Sequence, residues 1–491
     1  MRSTLLVSFL FSSLMACGDN PTPAQAAKPI TSTAVEPAGA HCANGGIVTS
    51  TGLDTNANGV LDPSEVTSYS YTCSHDTLLR QDPIASGAVC PGGGVDVQTG
   101  HDLNDDGTLE DSEIENTTTV CYSDELYQGD LKTSDFATAD AQEKLSHVRV
   151  VTGNLRIDSA VALPNLTVVG GNLELRIETL VELPALGKVI GSLIGPPAAV
   201  VIGEQNPPRG VMLDAPALTQ VGGSVSMTSW TEGGRFIAPA LSGVDGELDV
   251  GGKMSAVDLG KLNHVGLNLG IELTEPTALA LPALDRVGMG VRIGGQSTDL
   301  AFPVLRTAGY FQILHSNLRS LALPLLTSIS TLTIYNSASL ASVAMPSLSA
   351  VTTVSLSNLP ALTSFDLGEV SALDGLNLTR LAITDLGMFS TLRSIKKISI
   401  ASNPQLASLG GFDQLTTVTD LTISNNPALV SLAGLDQLAK LTGNLTIQHD
   451  AALTSLSELG ALTNVAGVIT ISDDAALPAS EIAAFLTRLG R

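Results

Sequence analysis

From about Leu145 onward the chain alternates apolar and polar positions over short stretches, and the pattern returns every 18–24 residues. The strand-forming part reads Leu155-Arg156-Ile157, Leu173-Glu174-Leu175, Leu248-Asp249-Val250, Val291-Arg292-Ile293, Leu332-Thr333-Ile334, Leu421-Thr422-Ile423 and Leu445-Thr446-Ile447. Period-two alternation turns one face of each strand inward and leaves the other in water. A second apolar element accompanies many strands, as in Leu163-Pro164-Asn165-Leu166, Leu183-Pro184-Ala185-Leu186, Leu281-Pro282-Ala283-Leu284, Leu323-Pro324-Leu325-Leu326 and Met345-Pro346-Ser347-Leu348. It turns the chain and adds a second layer of leucine to the same core. One such unit buries too little to stand alone, so neighbours must stack. The pattern predicts a mostly β fold over residues 134–479: an elongated, leucine-rich parallel β solenoid of about fifteen coils, with an irregular insertion at Gly195–Gly210. Apolar residues at helical spacing in Pro478–Leu486 predict a capping helix over 480–491, with Ser480 as its N-cap. Ser134–Leu145 is a weaker cap candidate at the other end.

Ahead of the solenoid the chain repeats a different unit. Cys42–Cys73 and Cys90–Cys121 each span 31 positions and are offset by 48, and each contains an acidic loop starting 12 positions after its first cysteine. The agreement predicts two copies of one small module, over 41–74 and 89–122. Each loop reads Asp-x-Asn-x-Asn/Asp-Gly, with an acidic side chain at the ninth position and Glu at the twelfth. Calcium takes six to eight oxygens, which alternate side chains of a tight loop can supply, and Gly permits the sharp turn at the sixth position. The candidate calcium ligands are Asp54, Asn56, Asn58, Val60 (through its carbonyl), Asp62 and Glu65 in the first loop. In the second they are Asp102, Asn104, Asp106, Thr108 (through its carbonyl), Glu110 and Glu113. Neither loop has long amphipathic helices on both sides, so the expectation is structural calcium stiffening an acidic stalk rather than a sensor. Cys42–Cys73 and Cys90–Cys121 are the most economical disulfides, each closing one repeat, with two other connectivities open.

The N-terminus changes the picture again. Arg2 precedes the apolar run Leu5–Leu14, which is too short for a mature spanning helix and runs into Leu14-Met15-Ala16-Cys17. These residues resemble a bacterial lipoprotein precursor. The resemblance implies a signal peptide over 1–16, a lipid on Cys17 and attachment to the membrane through that lipid. Residues 17–40, rich in Pro, Ala, Ser and Thr, read as a disordered tether. Gly18 rather than Asp immediately after the cysteine favours the outer membrane of the cell envelope, with surface exposure the condition for a role in adhesion.

Two further resemblances carry the domain reading. Cys42-Ala43-Asn44-Gly45-Gly46 and Cys90-Pro91-Gly92-Gly93-Gly94, with the acidic loops that follow, resemble Cys-bounded modules of bacterial lipoproteins that lack a known function. The solenoid phrases Gly-Asn-Leu-x-Ile and Leu-Pro-x-Leu-x-x-Val, with the Asn pair in Ile423-Ser424-Asn425-Asn426-Pro427, resemble the receptor L domain. That family implies recognition of a protein or other ligand. Receptor L domains carry cysteines at their ends, which this solenoid lacks, so receptor-type signalling is not implied.

The balance of 24 basic and 48 acidic residues, a net charge of −24, argues against a nucleic-acid partner. Fifteen of the acidic residues against only Arg80 lie between His41 and Glu125. The seven histidines, His41, His75, His101, His147, His264, His315 and His449, form no recognisable catalytic or metal motif in sequence and read as surface residues. No catalytic residue is assigned. The expectation is a non-catalytic envelope lipoprotein for surface recognition or adhesion, its partner an envelope or extracellular protein or glycan. A structural envelope scaffold is the alternative, and a polysaccharide-acting solenoid enzyme a more distant one.

Overall fold

Leu131, Leu155 and Leu173 stand beside one another in parallel register, and this inward rung continues coil by coil to Leu445 and Ile469. The computed structural model describes residues 28–491 except 37–38, 43–44, 56–60, 74, 92, 105, 122–124, 197–209 and 298–299. The signal segment, Cys17 and most of the Gly195–Gly210 insertion lie outside the described residues. The protein is mostly β, an elongated parallel solenoid preceded by two small disulfide-closed modules.

Each Leu-Pro-x-Leu element closes a tight turn in which the second Leu N–H donates to the first Leu carbonyl, as at Leu166–Leu163 and Leu284–Leu281. Proline pre-sets the backbone at the second position of such a turn. Both leucines of these turns are buried, so the element contributes corner and core together. A second parallel ladder flanks the first, running through 126–127, 150–151, 168–169, 188–189, 220–221, 243–244, 264–265 and 286–287.

A third corner explains the paired asparagines. One residue per coil takes a left-handed backbone: His315, Asn336, Asn358, Arg380, Ser402, Asn425, His449 and Asp473. Asn and Asp tolerate that region better than most residues. The next residue turns inward and is buried, being Ser316, Ser337, Leu359, Leu381, Asn403, Asn426, Asp450 and Asp474 in successive coils. From Asn403 on, its side-chain oxygen accepts the N–H of the preceding coil. Leu381 N–H donates to Asn403 Oδ1 at 2.9 Å, Asn403 N–H to Asn426 Oδ1 at 3.0 Å, Asn426 N–H to Asp450 Oδ1 at 2.7 Å, and Asp450 N–H to Asp474 Oδ1 at 2.8 Å. The corner interrupts strand pairing, and the ladder satisfies the amides that would otherwise be orphaned.

The ends are closed. Helix α1 (Ala139–His147) begins at Thr138, whose hydroxyl accepts from Ala141 N–H, and packs Leu145 into the core. Helix α2 (Ala479–Arg488) starts one residue earlier than the sequence suggests. Pro478 occupies the N-cap and Ser480 falls in the first turn, so Ser480 is not the cap. Phe485 of α2 is buried, and Arg488 donates to the carbonyls of Leu459, Gly460 and Leu462. Arg491 reaches Val465 O and Gly467 O. These bonds cap carbonyls of the last coil that would otherwise be open to another chain.

The modules are larger than their cysteines. Strands β1 (Lys28–Glu36), β2 (Gly46–Asp54) and β3 (Val66–Cys73) form an antiparallel meander, repeated by β4 (Thr77–Ile84), β5 (Gly94–His101) and β6 (Ile114–Cys121). Residues 28–36 are therefore strand rather than tether, paired from Lys28↔Asp54 to Glu36↔Gly46. Their alternating β-branched residues suit a strand, and Pro29 is tolerated because β1 is an edge. Both disulfides form as Cys42–Cys73 and Cys90–Cys121, with Cα atoms 5.1 Å apart in each. The last two glycines after each first cysteine do different things. Gly45 and Gly93 take positive φ, while a Cβ on Gly94 would lie 2.6 Å from Val120 O and 2.9 Å from Cys90 Sγ.

The modules do not stand off as a stalk. Val95, Val97 and Val120 of the second module pack with Val150 and Val168 of the solenoid flank, and Thr33 of the first module hydrogen-bonds Ser328. Burying these valines against the flank outweighs leaving two small domains in water.

Candidate functional site

Three places concentrate polar chemistry. The first is the second acidic loop. Glu113 ties its ends together, Oε1 accepting Leu103 N–H at 2.8 Å and Asn104 N–H at 3.3 Å, and Oε2 accepting Glu110 N–H at 3.1 Å. Asp102 accepts Asp106 N–H at 3.1 Å and Gly107 N–H at 2.7 Å, with Gly107 at the sharp turn in positive φ. Asn104 Nδ2 and Thr108 Oγ1 both donate to Glu110, at 3.2 and 2.9 Å. Hydrogen bonds from Thr108 hold the Asp106 carboxyl below its usual range. The contact between Glu110 and Glu113 raises the first and lowers the second. In the first loop Asn56, Asn58 and Val60 lie outside the described residues. Glu65 repeats the role of Glu113, accepting Thr55 N–H at 2.7 Å and Asp62 N–H at 3.1 Å, and Asp54 is buried beside it in the fold. Among the described residues, no three His, Cys, Asp or Glu side chains are grouped as a metal cluster. What the second loop brings together is an all-oxygen donor set in which each carboxylate oxygen keeps accepting capacity.

The second place is the seam between modules and solenoid. Asp245 accepts from the Thr77 hydroxyl and from Gln220 Nε2 at 2.6 Å, and faces His101 Nε2 at 3.4 Å and His264 Nε2 at 3.5 Å. His101 Nδ1 meets Glu115 at 2.7 Å, and Lys188 Nζ meets the other oxygen of Glu115 at 3.3 Å. The hydrogen bond to Asp245, opposed by burial, pushes His101 up to about 9. Burial pushes Asp245 up, but His101, His264 and Thr77 together hold it below the usual range. Glu115 is lowered in the same way, burial being outweighed by His101 and Lys188. A cavity of about 260 Å³ opens beside this network, lined by both modules and the solenoid. Thr77, His101 and Glu115 belong to the second module and Lys188, Gln220, Asp245 and His264 to the solenoid, so the network joins that module to the solenoid flank. His101 and His264 are half-buried partners here rather than the scattered surface residues the sequence suggests; no motif signals a contact between segments so far apart in the chain.

The third place is the outward face of the solenoid sheet. Arg156, Glu174, Ser226, Asp249, Gly270, Arg292, Thr333, Ser399, Thr422 and Thr446 lie along one row of stacked strands. The row grades from charged to Ser/Thr. Near its charged end, a cleft of about 330 Å³ opens beneath Trp230, with Asp249, Glu272 and Arg292 around it. Trp230 lies on the long strand Val225–Ile237, beside a register shift between Ser229 and Gly234. Such irregularities re-aim side chains out of the ladder, and Trp230 is 44% exposed. Arg292 Nη2 lies 3.8 Å from Asp249, whose carboxyl is raised by burial, with Arg292 opposing and Glu247 and Glu272 adding to the rise.

Fold and sites together define a parallel β solenoid with two disulfide-closed β modules docked on its flank. Residues 29–73 and 76–121 each match the model of a domain of unknown function, DUF7151. The matched stretches begin with β1 and β4, so the repeat includes the strand ahead of each first cysteine. No curated protein matches the chain.

Proposed function

We propose that the protein is a non-catalytic recognition lipoprotein of the bacterial cell envelope, held to the outer membrane by lipid on Cys17 and presenting its solenoid outward. The observation that carries the reading is the Trp230 cleft on a mostly polar, continuous sheet face. A half-exposed indole beside charged and hydroxyl groups is a poor solvent surface and a good ligand surface. The leucine-rich coils and Asn-bearing corners support the likeness to receptor L domains. The test is protease treatment of intact and lysed cells, read with an antibody against the solenoid. Loss of signal from intact cells is expected, and protection until lysis would overturn surface recognition in favour of an envelope scaffold.

Calcium belongs to the same proposal, as a structural ion in the acidic loops. Asp102, Asn104, Asp106, Thr108, Glu110 and Glu113, and their counterparts Asp54, Asn56, Asn58, Val60, Asp62 and Glu65, would hold it through oxygen alone. The ion would supply positive charge where Asp106, Glu110 and Glu113 crowd together. Asp102 and Glu113 already fasten the start and end of the loop to its backbone, so the fold pre-positions the donors. With the full chain, millimolar calcium is expected to slow amide exchange across residues 102–113 relative to chelator. Glu113→Gln should remove the effect. Equal exchange with calcium and with chelator would refute the calcium proposal.

A further inference from the structure

We infer that the Trp230 cleft binds a neutral saccharide, with the indole stacking on a sugar ring while Asp249, Glu272 and Arg292 hydrogen-bond its hydroxyls. The inference rests on the recognition reading and names the ligand class for that site. Its shape has a specific origin. Row position 270 carries no side chain between Asp249 and Arg292, and a Cβ there would collide with Asp249 Oδ1. The Asp249 carboxylate lies over position 270 instead, and Gly251 and Gly270 line the cleft without side chains of their own. At about 330 Å³ the cleft lies at the lower end of the ~300–1,000 Å³ range of small-ligand sites.

The chemistry selects the class. A sugar ring presents an apolar face of C–H bonds and a rim of hydroxyls that both donate and accept. The cleft matches each part. Trp230 provides a flat apolar surface, and among the described residues no other aromatic ring stacks on it. Asp249 and Glu272 accept, Arg292 donates, and the Thr228 and Thr274 hydroxyls do either. A cationic ligand would have to displace Arg292 from Asp249, 3.8 Å away. An anionic glycan would meet two carboxylates on a chain of net charge −24. A neutral polyol needs neither rearrangement.

Trp230 is the one tryptophan in the sequence, so intrinsic emission of the full chain reports on this cleft alone. The probes are chitotetraose, cellotetraose, maltotetraose and mannotetraose, with pentalysine and oligogalacturonate as charged controls. A saturable change in emission is expected with at least one neutral tetraose and with neither control. By calorimetry, Trp230→Phe should retain binding, Trp230→Ala should abolish it, and Asp249→Asn should weaken it about tenfold. These side chains are not fully buried, and unchanged melting would show the variants folded. No emission change with any neutral tetraose overturns the saccharide inference, as does binding that survives Trp230→Ala. The recognition reading fails on a different result, protection of the solenoid from protease on intact cells. Quenching by pentalysine alone would replace the saccharide with a basic peptide and leave recognition standing.

Discussion

Asn426→Leu is expected to destabilise the C-terminal half of the solenoid by about 3–5 kcal/mol. Asn426 is fully buried and its side chain is saturated. Oδ1 accepts from Asn403 N–H at 3.0 Å and Asn403 Nδ2 at 3.2 Å. Nδ2 donates to Ile400 O, Ser424 O and Asp450 Oδ1, at 3.2, 3.2 and 3.0 Å. Leucine fits the site sterically, since Leu359 and Leu381 occupy the equivalent corner in two earlier coils and are buried there. What the substitution removes is hydrogen bonding. It strands the Asn403 amide, which costs about 1–3 kcal/mol when buried without a partner, and takes the side-chain donor from the Ile400 carbonyl. It also takes a donor from an already buried carboxylate. Because coils stabilise only their neighbours, the loss should be local. Amide exchange should quicken from about Ser394 to Leu477 and stay near its original rate before Leu300. The adjacent Asn425→Gly is the control, because Asn425 sits at the left-handed corner (φ 59°), a conformation glycine adopts freely. Its effect should stay within about 1 kcal/mol. Equal stability of Asn426→Leu and the parent in urea unfolding would refute the ladder's role.

That contrast between neighbouring asparagines marks where sequence reading stops. The solenoid itself was legible, because Leu155-Arg156-Ile157 and its repeats carry a two-residue period that has only one way to bury its leucines. The cysteine spacing was legible too, and the structure resolves the open pairing into one disulfide per module. Strands β1 and β4 were not. Lys28–Glu36 sets its Ile, Thr and Val among Pro, Ser and Ala, a mixture that suits an edge strand and a linker alike, and β2 decides between them by offering nine partners in register. Composition leaves that choice to tertiary pairing. The seam around Asp245 was illegible for another reason: Thr77, His101, Gln220 and His264 meet only after folding, and no spacing encodes a contact between separate domains. The Trp230 cleft lies between these cases. The alternation Val225-Ser226-Met227-Thr228-Ser229-Trp230 places the indole outward, but the room for the Asp249 carboxylate beside it depends on Gly270 two coils on.

Asp450→Asn is expected to stabilise the protein at pH 8 by about 1–2 kcal/mol and to leave it unchanged at pH 4. Asp450 is fully buried; Oδ1 accepts from Asn426 N–H and Nδ2, while Oδ2 has no hydrogen-bond partner. Burial, opposed by the Asn426 donors and reinforced by Asp474, pushes the carboxyl up to about 6. An unfolded aspartate titrates near 3.9, so between about pH 4 and pH 6 the folded chain holds a proton that the unfolded chain has released. The stability this group contributes is therefore complete below about pH 4, falls as pH rises through 6, and is flat above. The corner already accepts an amide in the two coils before it. Asn403 Nδ2 donates to Leu378 O and Asn426 Nδ2 to Ile400 O, each the carbonyl of an earlier coil. An amide at position 450 would keep the acceptor for Asn426 and place a donor where the orphan oxygen lies, with no proton to lose. Asp474, whose carboxyl burial also raises, would leave a residual slope in the variant. Urea unfolding of parent and variant at pH 4, 6 and 8 measures the difference. If the gap between the two chains fails to widen from pH 4 to pH 8, the buried charge at Asp450 is not what limits the end of the solenoid.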